Sequence, residues 1–124
     1  MFGIFGRSQE MQTLDRALRG AGLTPRGVPD AVKLTTLKQL KETNFGRSPN
    51  ESAMAEAAEL IAYCLLGTEE FRKVNGPERG ENAETRIADA LRTGYGLDAR
   101  LILLTMHSRL IHPSVVERYG LSSE

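Results

Sequence analysis

The chain has 124 residues, of which 40% are hydrophobic and 26% are charged, a composition typical of a globular domain. A domain of this size buries roughly two thirds of its unfolded surface, so the fold requires neither disulfides nor a structural metal. The 16 Lys and Arg balance the 16 Asp and Glu, and a chain without net charge lacks the basic character of most nucleic-acid-binding domains.

The first seven residues, MFGIFGR, form a short apolar tip. Phe2, Ile4 and Phe5 stand next to glycines, and the tip is too short for an interfacial membrane helix. Burial of each large side chain is favourable by roughly 1.5 to 3 kcal/mol, so we expect some surface to cover them. Because the glycines make residues 1–7 flexible, the tip can fold back on its own core or reach a neighbouring molecule. Phe2, Ile4 and Phe5 are therefore the candidate interaction site.

The first predicted helix begins after Ser8, which is placed as its N-cap. Met11, Leu14 and Leu18 recur three and four residues apart, a spacing that predicts one buried face. Glycines at positions 20 and 22 end this helix.

The second predicted helix runs from Asp30 to about Thr43. Its lysines at positions 33, 38 and 41 are predicted to be solvated. Its apolar positions, which are predicted to face the core, are Ala31, Leu34, Leu37 and Leu40. Phe45 is predicted to fill the gap between this helix and the next.

The stretch from Ser48 to Gly67 is the longest apolar segment with a recognisable start and end. Ser48, Pro49 and Glu51 form a capping box with proline at the first helical position. Gly67 can adopt the left-handed conformation that ends a helix. Residues 60–66 contain no charge, so we expect this half to be buried on all sides. The sequence therefore predicts a central helix over residues 49–66.

The segments after Gly67 are predicted to be helical with one long break. The polar run NGPERGE at 75–81 is rich in turn residues and is predicted to be the most mobile internal loop. Because LILLTM is apolar on most sides, the helix that contains it is predicted to pack against the central helix. The predicted helices are residues 68–74, 82–93, 98–111 and a short one from 114 to before Gly120.

The fold class follows from these patterns. No run of residues alternates between apolar and polar with branched or aromatic enrichment, so no strand is predicted. We predict an all-α fold in which residues 1–124 form a single domain, a compact bundle of five or six helices. Helix 49–66 is predicted to lie at the centre with helix 98–111 as its main partner, and residues 121–124 are predicted to fray.

The charges are unevenly distributed along the chain. Residues 1–50 hold eight Lys and Arg against four Asp and Glu, a net of +4, and residues 51–124 hold eight against twelve, a net of −4. Such asymmetry can steer a partner, although the simpler interpretation is that the halves attract each other inside one fold. Because no basic stripe is interleaved with aromatic residues, no nucleic-acid partner is predicted.

The cysteine count and the length of the hydrophobic runs predict the cellular compartment of the protein. The single cysteine, Cys64, cannot form an internal disulfide, and no secretory leader is recognisable. No apolar run reaches the roughly 20 residues that a membrane-spanning helix needs. The sequence therefore predicts a protein of the reducing cytoplasm without an integral membrane segment.

No constellation of reactive side chains is recognisable in the sequence. His107 and His112 are five residues apart, which separates them by about 140° on a helix, so they are not a chelating pair unless a kink at Pro113 changes this geometry. Cys64 lies in the uncharged half of the central helix, where burial raises a thiol pKa and suppresses its reactivity. No glycine-rich stretch has the lysine ending of a phosphate loop. We therefore predict no catalytic residue, no metal ligand and no cofactor.

Two classes of function are compatible with these observations. The first is a non-enzymatic protein–protein interaction module, or homo-oligomer, that uses the apolar tip. The alternative is a small enzyme or ligand carrier with a pocket between helices near Tyr63, Tyr95 and His107. A buried polar cavity with a bound small molecule would favour the alternative, whereas a large apolar patch across a two-fold axis would favour the module.

Overall fold

The computed structural model describes residues 8–121, and all regular secondary structure in this range is helical. The predicted all-α class is confirmed, with seven α-helices in the described range rather than five or six. A 3₁₀ turn at Pro25–Gly27 separates the first two. The α-helices are α1 (Gln9–Gly20), α2 (Asp30–Thr43), α3 (Glu51–Leu66), α4 (Thr68–Asn75), α5 (Pro77–Thr93), α6 (Leu97–His107) and α7 (Pro113–Tyr119).

The apolar helix α3 lies at the centre, as predicted. It contacts α1, α4, α5 and α6, and residues 60–64 are all buried. Its packing against α6 confirms the predicted pairing of the two most apolar segments, but α1 is its more extensive neighbour. Ala57, Ala58 and Ala62 are buried on α3, and such small side chains let neighbouring helices approach closely.

The start of α3 differs from the prediction. Asn50 is the N-cap, and its side-chain oxygen accepts a hydrogen bond from the Ala53 N–H at 2.8 Å. The Ser48 hydroxyl donates instead to the carboxylate of Glu10 on α1. The predicted end is confirmed, because Gly67 follows the last helical residue with φ of 90°.

The predicted loop over residues 75–81 is wrong. Helix α5 begins at Pro77, so only Gly76, with φ of 94°, separates it from α4. Proline suits the first position of a helix because its missing N–H would have no partner there. The Asn75 side chain donates to the carbonyl of Ala21 at 2.9 Å, which holds this corner against α1.

The buried face of α2 also differs from the prediction. Leu34, predicted to face the core, is 56% exposed, and Lys33, predicted to be solvated, is only 3% exposed. The Lys33 ammonium lies 2.9 Å from a carboxylate oxygen of Asp15 on α1. Because of this ion pair, the side of α2 that carries Lys33 faces the core. The spacing of the apolar residues alone did not predict this orientation. Leu37 and Leu40 are buried as predicted.

Candidate functional site

Helix α2 ends in a Schellman motif with an uncommon residue at its left-handed position. The N–H of Gly46 donates to the carbonyl of Lys41 at 2.7 Å, the hydrogen bond that defines this motif. Phe45 occupies the left-handed position with φ of 57°. The sequence offered no warning, because Gly46 looks like the stop residue and lies one position too late.

Two other helices show how this motif is usually built. Helices α1 and α7 end with the same hydrogen-bond pattern, at 3.0 Å and 2.9 Å, but with glycine at the left-handed position: Gly22 with φ of 99° and Gly120 with φ of 62°. A side chain in this conformation costs roughly 1 to 2 kcal/mol, which glycine avoids. Phe45 therefore reduces the stability of the fold where glycine would not.

Phe45 makes no compensating contribution to the core. Its exposed fraction is 93%, so the prediction that it fills a gap between α2 and α3 was wrong. Backbone strain in a residue that the core does not need is a reason to suspect a functional role.

A groove lies beside this helix end, between α2 and the start of α1. Its volume is about 490 Å³. The side chains that line it include Ser8, Glu10, Leu34, Leu37, Lys38 and Lys41, together with Gly46. We call it the α2 groove. Across it the Lys41 ammonium lies 2.8 Å from the Glu10 carboxylate, and hydrogen bonds from Lys41 and Ser48 lower the pKa of Glu10.

The predicted interaction residues Phe2, Ile4 and Phe5 lie outside the described residues. Ser8, the first described residue after them, lines the α2 groove.

Among residues 8–121, no ion pair joins a base of the basic half to an acid of the acidic half. Within the described range, ion pairs such as Lys33–Asp15 and Arg86–Asp98 join residues of the same half. The exception, at 3.2 Å, joins Arg100 of the acidic half to Glu42 of the basic half. The attraction predicted between the halves therefore does not take the form of direct ion pairs, and the basic excess of residues 8–50 is left on the surface.

Tyr63, one of the residues predicted for a pocket, is buried in a hydrogen-bonded network. Its hydroxyl donates to Glu84 at 3.0 Å and shares a hydrogen bond of 2.8 Å with the Thr68 hydroxyl. Its ring meets Phe71 edge to face, with 5.4 Å between centroids. Burial raises the pKa of Tyr63, and the neighbouring Tyr119 and Glu84 raise it further. The hydroxyl is therefore a neutral structural group.

Glu84 connects this network to two arginines. Its carboxylate lies 2.6 Å from Arg72 on α4 and 3.6 Å from Arg118 on α7. Burial favours the neutral carboxyl, but the hydrogen bonds from Arg72 and Tyr63 and the charge of Arg118 outweigh it and lower the pKa of Glu84. Every polar group of the network has a partner, so its role is to join α3, α4, α5 and α7.

Replacing Glu84 with glutamine is expected to remove part of the acid sensitivity of the fold. Because its folded-state pKa lies below the ordinary 4.5, the carboxylate stabilises the fold above that pH, and this stabilisation is lost as the pH falls through the folded-state pKa. In urea unfolding at a series of pH values, the difference in unfolding free energy between the wild type and Glu84→Gln should shrink below pH 4.5. Glu78→Gln, at an exposed site outside the network, is the control. A difference independent of pH would contradict this role.

The cysteine and the two histidines are not brought together for chemistry. Cys64 is fully buried, and burial raises the pKa of its thiol to about 12, which makes it a poor nucleophile. The Nδ1 atom of His112 accepts a hydrogen bond from the Ser114 N–H at 3.0 Å and so caps α7. His107 lies at the end of α6 instead.

The three residues of the predicted pocket occupy different surroundings. Tyr63 is buried within its network, whereas Tyr95 is 76% exposed in the turn between α5 and α6. His107 borders a cavity with Met106 and Arg109 that neither tyrosine lines. The structure therefore does not bring these residues into one pocket.

The fold and these surfaces define a small all-α bundle with an exposed aromatic residue beside a groove lined by two leucines and by charged side chains. Comparison with protein-family models, with curated proteins and with solved structures finds no match. Among residues 8–121, no group of three or more His, Cys, Asp or Glu could hold a metal ion. No helix in that part of the chain combines the length and the apolar character needed to cross a bilayer.

Proposed function

We propose that this protein is a non-enzymatic interaction module of the cytoplasm that self-associates through the α2 groove, Phe45 and the apolar tip. The observation that carries the proposal is Phe45, whose ring is 93% exposed although its backbone is held at φ of 57°. Aromatic side chains are among the residues that contribute most to protein interfaces. A partner that covers this ring explains why the chain retains it in place of glycine.

The groove next to Phe45 provides the complementary surface. Leu34 is 56% exposed on α2 and lines the groove with the buried Leu37. Lys38 and Lys41 line it as well, and lysine stems can cover apolar surface while their ammonium groups stay in water. The groove therefore offers an apolar floor with a charged rim, as interfaces usually do.

The occupant that we propose is the tip of a second copy. Phe2, Ile4 and Phe5 supply the large apolar side chains that such a groove accepts. Seven residues can span at most about 25 Å, and the distance along α2 from Leu34 to its last residue, Thr43, is about 14 Å. A tip of this length can therefore follow the whole groove, and reciprocal exchange between two copies would form a closed two-fold dimer.

Replacing Phe45 with glycine is expected to have opposite effects on stability and on assembly. The free energy of unfolding should rise by about 1 kcal/mol because the left-handed strain is removed. The dissociation constant of the dimer, measured by sedimentation velocity and native mass spectrometry, should rise at least tenfold. Tyr95→Ser, at an exposed aromatic residue on another part of the surface, is the control and should change neither quantity.

The contribution of the tip is measured with Phe2→Ser combined with Phe5→Ser. If the tip binds a second copy, assembly weakens while the melting temperature of the isolated domain barely changes. A tip that covers the groove of its own chain gives the opposite result, a large loss of stability in a chain that is monomeric throughout. A monomer at all accessible concentrations would contradict self-association.

The alternative function, a small enzyme or ligand carrier using Tyr63, Tyr95 and His107, has less support. The three side chains line no shared cavity, and Tyr63 is already saturated with hydrogen-bond partners. His107 and Tyr95 line two different cavities, of about 520 Å³ and 360 Å³.

A further inference from the structure

The end of α6 forms a second surface that the proposed self-association does not use. A cavity of about 520 Å³ lies between the end of α6 and α7. The apolar side chains that line it are Met106, Ile111, Val116 and Leu121. The other two lining residues are His107 and Arg109, both exposed. The cavity therefore combines an apolar wall with nitrogen donors, and no Asp or Glu is among the lining residues.

Arg109 is the second described residue other than glycine with a positive φ, at 62°. It occupies the left-handed position of a Schellman motif in which the Leu110 N–H donates to the Thr105 carbonyl at 3.0 Å. Gly120 occupies the same position at the end of α7 with the same φ. Like Phe45, Arg109 is energetically less favourable than glycine in this backbone conformation, and its side chain is exposed.

The helix end does not itself require this arginine. Cations are favoured at the carboxyl end of a helix, where carbonyls lack partners. At the end of α6, however, backbone N–H groups already reach the last carbonyls: Ser108 donates to Leu104 at 3.0 Å, Leu110 to Thr105 at 3.0 Å and Arg109 to Met106 at 3.0 Å. Within residues 8–121 the Arg109 guanidinium makes no ion pair and no hydrogen bond. Its five N–H donors are therefore available to a ligand.

We propose that this cavity binds a small amphipathic carboxylate. The apolar body of the ligand lies against Met106, Val116 and Leu121, and its carboxylate accepts hydrogen bonds from Arg109 and from a ring N–H of His107. A single guanidinium matches the planar geometry and the single charge of a carboxylate. A phosphate dianion is less suitable, because the residual dipole of a helix carboxyl end opposes negative charge and the cavity offers one permanent cation. A charge-assisted pair with one carboxylate is strong enough to overcome that residual dipole.

The test uses octanoate as the probe, with 1-octanol and acetate as matched probes that lack the charge or the apolar body. Titrations of the full chain are followed by two-dimensional NMR of the backbone amides. Octanoate should bind saturably at one site, with the largest shifts at residues 106–121, and each matched probe should bind at least tenfold more weakly. Equal binding of octanol, or no saturable binding of octanoate, would overturn the proposal.

The matched variants separate the ligand contact from the fold. Arg109→Gly should weaken octanoate binding at least tenfold and raise the melting temperature, because the left-handed strain is removed. Arg109→Lys keeps the charge but loses the planar fork and should retain part of the affinity. Arg47→Gly, at an exposed arginine outside the cavity, should leave the dissociation constant unchanged. Unchanged affinity in Arg109→Gly would show that the arginine is not a ligand-binding residue.

Discussion

Replacing Gly67 with alanine is expected to lower the free energy of unfolding by about 3 kcal/mol or more. Gly67 joins α3 to α4 with φ of 90° and ψ of 168°, a conformation that is essentially restricted to glycine. A Cβ at this position would lie 2.8 Å from the Ser114 hydroxyl and 2.9 Å from Nδ1 of His112. Alanine therefore combines backbone strain with a clash against the start of α7. Urea unfolding monitored by circular dichroism measures the loss.

Gly76 provides a matched control for the backbone part of this effect. It joins α4 to α5 with φ of 94° and ψ of 159°, but nothing lies within 4 Å of a Cβ built there. Gly76→Ala should therefore be less destabilising than Gly67→Ala by the energy of the clash, about 1 to 3 kcal/mol. Ser114→Ala, which removes a buried hydroxyl without a hydrogen-bond partner, should recover part of the loss in Gly67→Ala. Equal losses at both glycines would contradict the close packing of α7 on this junction.

Replacing Lys33 with methionine is expected to cost about 3 kcal/mol of unfolding free energy. The ammonium of Lys33 is buried and lies 2.9 Å from Asp15, whose side chain is 16% exposed. Methionine keeps a similar length and shape but leaves the Asp15 carboxylate without this cation in a mostly desolvated site. The loss is placed at the lower end of the range for broken buried ion pairs because Asp15 retains some contact with water.

A double-mutant cycle isolates the ion pair from the packing of the lysine stem. In the combined variant Lys33→Met and Asp15→Asn, the charged partner is removed together with the cation. We expect this variant to be more stable than the sum of the two single losses implies, by about 1 to 3 kcal/mol. Additive losses would show that the Lys33–Asp15 ion pair adds nothing to the stability of the fold. As a control, Lys38→Met on the exposed face of α2 should change stability by less than about 0.5 kcal/mol.

Phe45 and Arg109 are the residues on which the two proposed sites depend, and the physical reason for choosing them is the same. Each occupies the left-handed position of a Schellman motif, where glycine is used at the ends of α1 and α7. Each side chain is exposed, so core packing does not explain why it is kept. A substitution to glycine that improves stability while it impairs binding is the expected signature of both sites.

The sequence determined the helical class and the centre of the bundle, because these depend on local properties. The spacing of Met11, Leu14 and Leu18 marks one face of α1, and these residues are buried. The charge-free run at residues 60–66 and the glycine after it mark the most buried helix and its end. Periodicity and terminal glycines act within a few residues of chain, so one sequence is enough to recognise them.

Only the tertiary structure decided which side of α2 faces the core and where the candidate sites lie. Lys33 is buried because its ammonium lies 2.9 Å from the carboxylate of Asp15 on another helix. The spacing of residues along α2 cannot predict such a partner, because Asp15 comes close only when the helices pack. Phe45 and Arg109 adopt left-handed conformations just after α2 and α6 end. The packing of these helices decides where each of them ends. The α2 groove joins Leu34 and Leu37 of α2 to Ser8 and Glu10 at the start of α1, and the cavity at α6 joins the end of α6 to α7. Such surfaces exist only once the helices have packed.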